Sequence, residues 1–549
     1  MSDKELPARP NLEQYKNQAK DLVRDHAAGV PPALARAKRH HPRFHKRPKS
    51  ETSGLPFTRT DAQLVIAREH GFESWPKFAR HVEMVHLIET LGPLADPVSA
   101  FIEVACVPRH ADHCSGTLDQ AELILSRYPQ VAKSNIYTAA ILADEAAVRQ
   151  ILASRPAAAT AAGGPHHWDA LSYLCFSRYL RLDKARSEAF VRTARALLDA
   201  GASARTGWVE MIDHPTPRAT FESAIYGAAG IARHPELTRL LLERGADPND
   251  EETPYHVPEG YDNTITQILL ESGRLNQRSL AWMLVRKADW HDEDGLRLIL
   301  EHNQEHRGDP NLMTRWGVNA LQHALRRDNG LVMIEMLLDH GADPTLTTRQ
   351  DKRSAVAIAA KRGRADVLEL FEKRGIPLDL TGVDRVVAAC AKGDTAMARS
   401  LLTDEPHLLP ELLVKGGTLL SEFAGNGNVE GLQCLLDLGV SVAALYREGD
   451  GYFGIAKGST ALHVAAWRAC PAAVQELIRR GAPVNALDGA GRSALFLAVK
   501  ACVDSYWTRR RSPDSVAALL AAGATTAGVE IPCGYDAVDE LLRRHAGRV

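Results

Sequence analysis

The sequence predicts an all-α fold, in which a helical segment at the N-terminus is followed by repeated helix–turn–helix units. The chain has 549 residues, which is more than one compact core usually holds. Aromatic residues make up only 6% of it, and alanine and leucine are abundant, which favours helices over a large β-sandwich. A glycine that closes a helical pattern recurs along the chain, at Gly201, Gly245, Gly341, Gly375, Gly439, Gly481 and Gly523.

The overall composition is that of an ordinary globular protein with no strong preference for a charged partner. Charged residues make up 24% and the formal net charge is −2, so no global field favours nucleic acid or a membrane surface. The 8 cysteines include no CxxC pair, and we expect reduced, buried thiols. The polar start "MSDKELPARPNLEQYKNQAKDL" has no apolar core, and no later stretch is long enough to span a bilayer. We expect a cytoplasmic protein.

One unit, from Ser459 to Asn485, shows why the pattern is helical. Thr460 precedes a first helix and can cap its free N–H groups. Small residues and leucine then form a narrow apolar face, and Pro471 suits the first turn of a second helix. Gly481 ends that helix where a left-handed conformation is needed. The same pattern returns in Arg218–Asp250, Gly317–Leu346, Lys352–Leu380 and Arg492–Thr525.

These units resemble ankyrin repeats. The resemblance is carried by "STALHVAA" with "VQELIRRGAPVN", and by "PELTRLLLERGADPN". It extends from about Asp119 to Val549 and corresponds to about ten units with a period near 33 residues. The resemblance implies a solenoid of stacked helix pairs, whose loops and inner helices line a concave surface. It also implies that His463 is a structural histidine, and that the final "GYDAVDELLRRHAGRV" is a capping helix.

The first ninety residues differ from the repeats. Two amphipathic helices broken near Gly29 and two further helices are predicted there, with Thr60 or Asp61 as a cap. This layout resembles the helical region that precedes ankyrin repeats in many bacterial proteins. We therefore predict two domains, residues 1–90 and residues 91–549.

A basic stretch, "RAKRHHPRFHKRPKS", runs from about Arg36 to Lys49 within the first domain. A patch for RNA or DNA is one interpretation, because lysine and arginine neutralise phosphates. We favour a solvated loop instead, since the overall charge is near neutral and Phe44 is the stretch's only aromatic residue. A nucleic-acid partner is therefore not expected.

The sequence contains no strong catalytic signature. It has no phosphate-binding Walker loop, HExxH, GxSxG or paired CxxC. The stretch "CVPRHADHC" offers Cys106, His110, His113 and Cys114, but this spacing matches no zinc motif. "GNGNVEG" at Gly425 is interpreted as a turn between two helices. No metal and no cofactor are expected.

Candidate binding residues lie where the repeats present turns, inner helices and long insertions. Aligned to the repeat, His166, His167 and Trp168 fall at a turn before a helix, and Asp169 follows them. Trp168 either contacts a partner at this edge or packs on the neighbouring loop. Trp316 lies in another such turn. Long insertions after Asn249 and near Tyr446 are typical of functional loops. The predicted contact residues are Trp168, Tyr255, Trp316, His323, Tyr452 and Trp467.

The leading hypothesis is a protein–protein interaction scaffold that presents loop tips and a concave groove to a partner. The alternative is an enzyme or small-molecule binder, in which His166, His167, Asp169 and His323 supply polar groups in an aromatic cleft. The alternative requires those side chains to converge, whereas the scaffold spreads them along an open edge. The sequence leaves the partner unidentified.

Overall fold

The computed structural model describes residues 4, 6–7, 11–45, 57–79, 82, 94–109, 112–212, 218–305, 308–505 and 510–546. The chain divides into two compact units, Met1–Thr253 and Pro254–Val549. The predicted domain boundary near residue 90 falls in a stretch outside the described residues, and it stays a prediction. The fold class is as predicted: stacked pairs of short α-helices account for most of each unit.

The N-terminal part of the first unit is a small helical cluster around Tyr15, Leu22, Phe44 and Phe78. Its helices are Leu12–Ala27, Pro31–His40, Pro42–His45 and Arg59–Glu69. The predicted cap of the last helix, Thr60 or Asp61, is wrong: Thr58 is the N-cap, and it exchanges hydrogen bonds with Asp61 in a capping box. The capping box satisfies backbone N–H groups that a helix leaves open.

The basic stretch is more ordered than the sequence predicted. Residues 36–45 belong largely to helices, because Arg36 forms two hydrogen bonds with the buried carboxylate of Glu69, at 2.6 and 2.9 Å. His41 lies 3.0 Å from Asp61, and Phe44 is buried. The expectation of a solvated loop is therefore wrong for residues 36–45. Residues 46–50 lie outside the described residues.

Helix pairs continue through the rest of the first unit. Its α-helices are Pro97–Ala105, Asp119–Arg127, Ile136–Ile141, Glu145–Ser154, Ala170–Cys175, Arg178–Leu182, Ser187–Asp199, Ala224–Tyr226 and Pro235–Glu243. Short 3-10 helices cover Pro129–Lys133, Pro156–Ala159 and Lys184–Arg186, and a π-helix covers Gly227–Ile231. A further short helix, Glu252–His256, spans the division between the units.

An antiparallel β-hairpin interrupts the first unit. It pairs Gly207–Ile212 with Arg218–Ser223, so that Val209 lies opposite Phe221. The expected repeat from Arg218 to Asp250 therefore begins with a strand, and its first helix starts at Ala224. In the first strand, Trp208 and Glu210 lie on one face and Val209 and Met211 lie on the other, because successive side chains of a strand point to opposite faces.

The second unit contains the most regular helix pairs. Its α-helices are Thr264–Glu271, Gln277–Trp290, Glu293–Glu305, Ala320–Arg326, Leu331–Asp339, Ala355–Lys361, Ala365–Lys373, Val383–Ala391, Thr395–Asp404, Leu408–Gly425, Val429–Asp437, Ala461–Trp467, Pro471–Arg479, Ala494–Val503, Asp514–Ala521 and Asp536–Ala546. Two short strands, Leu445–Tyr446 and Ser459–Thr460, pair at the base of an inserted loop. "GNGNVEG" is the turn between two of these helices, as predicted.

The turns that close the helix pairs confirm the glycine pattern. Each predicted terminator has a positive φ, from 69° at Gly375 to 100° at Gly201. At Gly481 the φ is 81° and no atom lies within 4 Å of the position that a Cβ would take, so backbone conformation, and not space, requires glycine there. Loop asparagines then join neighbouring repeats, since Asn485 donates to the carbonyl oxygen of Gly523 and accepts from the N–H of Thr525.

The helices are too short or too polar, throughout the part of the chain that the structure describes, for any of them to cross a membrane. All 8 cysteines are free thiols. Cys175, Cys390, Cys434 and Cys502 are buried, as predicted, whereas Cys470 is only partly buried.

Candidate functional site

Several inner helices of the second unit end in a polar residue, and these helix ends converge. Arg327, Arg362, Asn426 and Arg468 each occupy the C-cap position of an inner helix. The buried carboxylate of Asp328 accepts hydrogen bonds from the last three, including 2.8 Å from Nε of Arg362 and 2.6 Å from Nη1 of Arg468. Residues 140 positions apart in sequence therefore meet at one anion. Burial would raise the pKa of Asp328, but these guanidinium groups hold it well below its usual range.

A cavity of about 570 Å³ opens beside this network. It lies entirely within the second unit, and its walls are mainly aromatic. Its lining residues are Tyr255, Tyr261, Arg286, Asp289, Trp290, His291, Trp316, Arg327, Tyr452 and Phe453. We call this cavity the aromatic pocket.

Asp289 organises the charged side of the aromatic pocket. Its Oδ1 accepts from Nε2 of His323 at 2.8 Å and from Nε of Arg327 at 2.7 Å, and its Oδ2 accepts from Nη1 of Arg286. Burial would raise the pKa of Asp289, but the hydrogen bond from His323 and the two arginines outweigh it, so the pKa lies well below its usual range. Burial lowers the pKa of His323 despite that carboxylate. We therefore assign a neutral His323 that donates to an ionised Asp289.

Two arginine–tyrosine stacks form part of the wall. The guanidinium carbon of Arg327 lies 3.8 Å from the ring centroid of Tyr452, and that of Arg286 lies 4.2 Å from the centroid of Tyr255. Because both arginines also bind Asp289, the two tyrosines are held in fixed positions relative to one carboxylate. Such an arrangement is preorganised for binding, since little side-chain freedom is left to lose.

The wall that contains Tyr452 comes from an inserted loop, residues 447–458, which we call the Tyr452 loop. Phe453 of this loop is buried, with the guanidinium of Arg468 4.2 Å from its ring centroid. Nε1 of Trp467 donates to the carbonyl oxygen of Phe453 at 2.5 Å. The loop is thus packed onto the buried charge network instead of projecting freely into solvent.

Four of the predicted contact residues belong to this site. Tyr255, Trp316 and Tyr452 line the aromatic pocket. His323 lies behind it, buried, stacked on Trp316 with ring centroids 5.4 Å apart and bound to Asp289. Trp467 does not line the pocket, but its hydrogen bond to Phe453 holds the Tyr452 loop. Whether any of them contacts a partner stays a prediction.

The candidates around Trp168 lie in the first unit and have structural surroundings. Trp168 is 4% exposed and stacks on Trp208, with centroids 4.9 Å apart. Of the two roles that the sequence left open for Trp168, packing is the one seen, because large aromatic surfaces are strongly driven into a core. Asp169 is the N-cap of a helix and accepts from the N–H of Ser172. His166 is buried, and His167 is exposed with a φ of 55°.

A serine–histidine contact in the first unit does not form a nucleophile. Oγ of Ser187 lies 2.7 Å from Nε2 of His234, a spacing typical of an activated serine. However, Nδ1 of His234 accepts from the N–H of Leu237, so the proton of a neutral ring is on Nε2. That nitrogen donates to Ser187 and cannot remove its proton, and His234 acts as a helix cap.

The metal-like stretch and the structural histidine can also be placed. Cys106 is buried, Nδ1 of His113 lies 3.0 Å from the hydroxyl of Tyr226, and His110 lies outside the described residues. Among the residues that are described, no group of three or more His, Cys, Asp and Glu side chains could hold a metal ion.

His463 has the structural role expected of it, since it bonds to Thr460 and to the carbonyl oxygen of Ala486.

Sequence reasoning missed the arginines of the site. Arg286 and Arg327 were not singled out. A detectable signal existed: Arg327, Arg362 and Arg468 each follow the last residue of an inner helix. Aligning the repeats by their closing turns would have shown this recurring basic position on the inner face.

Comparison with known proteins identifies one of the repeats. Residues 457–489 match the family model of the ankyrin repeat. The crystal structure of the ankyrin repeat domain of Bcl-3, described as a unique member of the IkappaB protein family, is similar over 43% of this chain and 96% of that chain, with 19% identity and a TM-score of 0.20. No curated protein matches the sequence significantly. The chain is thus an all-α protein of stacked helix pairs that contains an ankyrin repeat at residues 457–489.

Proposed function

We propose that the second unit binds a partner protein and that the aromatic pocket receives side chains of that partner. The observation that carries the proposal is the pocket itself, in which two arginines hold Tyr255 and Tyr452 around Asp289 and Trp316 packs on Tyr255. Tryptophan, tyrosine and arginine dominate the binding energy of protein interfaces. Ankyrin repeats generally mediate protein–protein interaction, which supports a protein as the partner.

A small-molecule ligand is the second candidate, and the size of the cavity favours it. About 570 Å³ lies within the ordinary range of ligand pockets, roughly 300 to 1,000 Å³. Catalysis has less support, because the one carboxylate in the lining, Asp289, is already bound to three donors. A general base needs a lone pair directed at the substrate.

We also propose that the protein is bacterial and cytoplasmic. The layout of the N-terminal helices, which resembles that of many bacterial ankyrin proteins, supports a bacterial origin. Buried free thiols suit a reducing compartment such as the cytoplasm.

The test compares pocket variants with a matched control outside the pocket. Tyr261→Ala removes a ring that is 65% exposed, and Trp316→Leu removes a partly exposed indole from the wall. Tyr535→Ala is the control, since it removes the same type of ring as Tyr261→Ala at a position that does not line the pocket. Each variant is first checked for native helicity by circular dichroism.

The immobilised proteins are exposed to native lysate, and retained proteins and metabolites are identified by mass spectrometry. A retained protein is then purified and titrated against each variant by calorimetry. The proposal expects Tyr261→Ala and Trp316→Leu to weaken that binding at least about tenfold, with Tyr535→Ala unchanged. Equal binding by all variants would contradict the proposal. A retained small molecule that both pocket variants lose would support the second candidate.

A further inference from the structure

We infer that the aromatic pocket selects an anionic aromatic group, supplied by a partner segment in which an acidic residue adjoins Phe, Tyr or Trp. The inference rests on the proposed function, because it names the chemistry of the partner at the same site. It follows from the balance of charge in the pocket, from the covered faces of two tyrosines and from the free end of one arginine.

The lining itself carries more positive than negative charge, and Glu259, which pairs with Arg286, lies outside it. Two arginines, Arg286 and Arg327, face one carboxylate, Asp289. Both oxygens of that carboxylate already accept hydrogen bonds, from Arg286, Arg327 and His323. A cationic ligand would therefore find no uncommitted anion in the lining and would meet two guanidinium groups. Like charges brought together in a partly desolvated site repel strongly.

Two of the aromatic walls are already covered by cations of the protein itself. Aromatic cages attract a cation through open ring faces, yet Tyr452 is covered by Arg327 at 3.8 Å and Tyr255 by Arg286 at 4.2 Å. The negative charge of those ring faces is already used by guanidinium groups. This arrangement disfavours methylated lysine or a quaternary amine as the occupant.

Arg327 can receive an anion without breaking its present contacts. Its Nε donates to Asp289 at 2.7 Å, and its side chain is 23% exposed. Its two Nη atoms make no hydrogen bond to other described residues, although the residue lines the pocket. The pair of Nη groups matches the two oxygens of a carboxylate. Arg286 is more committed, since it also donates to Glu259 and to the carbonyl oxygen of Tyr255.

The remaining wall suits the aromatic part of the occupant. Trp316 packs edge-to-face on Tyr255, with centroids 5.9 Å apart and planes at 86°, and Trp290 packs similarly on Tyr261. Aromatic rings favour offset and edge-to-face contacts with one another. A cavity of about 570 Å³ holds a ring together with the neighbouring carboxylate.

The experiment uses three N-acetylated, C-amidated tripeptides: Asp-Phe-Asp, Lys-Phe-Lys and Asp-Ala-Asp. Free phenylacetate is the fourth probe. Each is titrated into the full chain while tryptophan fluorescence is followed, because Trp290 and Trp316 line the pocket and none of the probes contains tryptophan. The proteins are the wild type, Arg327→Gln, and the control Arg326→Gln, whose arginine pairs with Asp351 at the surface.

We expect the wild type to bind Asp-Phe-Asp at least about tenfold more tightly than Lys-Phe-Lys. The titration with Asp-Ala-Asp should not reach saturation. Arg327→Gln should weaken Asp-Phe-Asp about tenfold or more, as expected for loss of a charged hydrogen-bonding group. Arg326→Gln should match the wild type within about twofold. Arg327→Lys keeps the positive charge but loses the paired N–H groups of the guanidinium. Its affinity for Asp-Phe-Asp should lie between those of the wild type and Arg327→Gln, and it provides the test if Arg327→Gln does not fold.

Two results would overturn the inference: binding of Lys-Phe-Lys as tight as that of Asp-Phe-Asp, or equal affinities of the two arginine variants for Asp-Phe-Asp. A wild type that binds none of the four probes would overturn it as well. If phenylacetate binds in an Arg327-dependent way and no peptide does, the anionic aromatic chemistry is supported and the protein partner is not. That result would contradict the proposed binding of a partner protein while supporting the proposed anionic aromatic ligand.

Discussion

The hydroxyl group of Tyr452 donates a hydrogen bond to the main-chain carbonyl oxygen of Asp289, 163 residues earlier in the chain, at 2.5 Å. Asp289 lies in the last turn of the helix Gln277–Trp290, whereas Tyr452 lies in a loop inserted before the matched repeat. The contact therefore ties an insertion to the inner face of a distant helix pair. It makes the Tyr452 loop a fixed wall of the aromatic pocket.

Tyr452→Phe should loosen this wall while keeping the ring. The variant loses one hydrogen bond, which contributes about 1 kcal/mol, and retains the stack under Arg327. We expect faster amide hydrogen exchange in residues 447–458 and little change in the helices. Tyr535→Phe is the control. Unchanged exchange in the loop would show that the hydroxyl does not anchor it.

Asp328→Asn should be among the most destabilising single changes in the second unit. It leaves Arg362 and Arg468 buried without their shared anion, and breaking a buried ion pair costs about 3 to 5 kcal/mol. Asp437→Asn is the matched control, because Asp437 pairs with Arg480 at the surface, where a pair contributes about 1 kcal/mol or less. The free energy of unfolding in urea measures both. A similar decrease in the free energy of unfolding in the two variants would contradict a structural role for the buried network.

The repeated part of the fold could be predicted because each unit is specified locally. Thr460, Pro471 and Gly481 cap, start and end their helices through interactions a few residues away. The inserted hairpin at Gly207–Ser223 could not be found by the same template, because its strands pair with each other and lie outside the period. A search for alternating residues would have been needed there.

The site was only partly predictable, since it depends on contacts between distant repeats. Aromatic residues in turns and insertions were identified, and Tyr255, Trp316 and Tyr452 do meet. Their arginine partners were missed, because a basic residue after a helix has no evident role until several helix ends converge. Trp168 shows why the residue type alone does not decide: at a similar turn this tryptophan is buried, since Trp208 stacks on it.

Gly481→Ala should destabilise the matched repeat through its backbone alone. The φ of Gly481 is 81° and nothing lies near the added methyl group, so the cost is that of a left-handed alanine, about 1 to 2 kcal/mol. Gly451→Ala is the control, since Gly451 also has open space but no positive φ, and its change should stay within about 0.5 kcal/mol. Urea denaturation compares the two. A control that loses as much as Gly481→Ala would contradict the backbone argument.

The stability of the first unit should fall as the pH drops from about 6.5 to about 4, because of His166. Burial against Trp168 and Tyr173 lowers the pKa of His166 to about 4. An unfolded chain binds the proton below its ordinary pKa of about 6.5, whereas the folded chain does not until about 4, so acid favours unfolding. The loss approaches about 3 kcal/mol at most, and the positive charge of Arg109 contributes to it by lowering the pKa further.

His166→Phe separates this effect from general acid sensitivity. Neither ring nitrogen of His166 has a hydrogen-bond partner among the described residues, so a ring without nitrogens loses no hydrogen bond and fits the aromatic cluster. The variant should be at least as stable as the wild type at pH 7.5. Its free energy of unfolding, followed through tryptophan fluorescence in urea, should change less between pH 6.5 and pH 4.5 than that of the wild type. An identical slope in both proteins would assign the acid sensitivity to other groups.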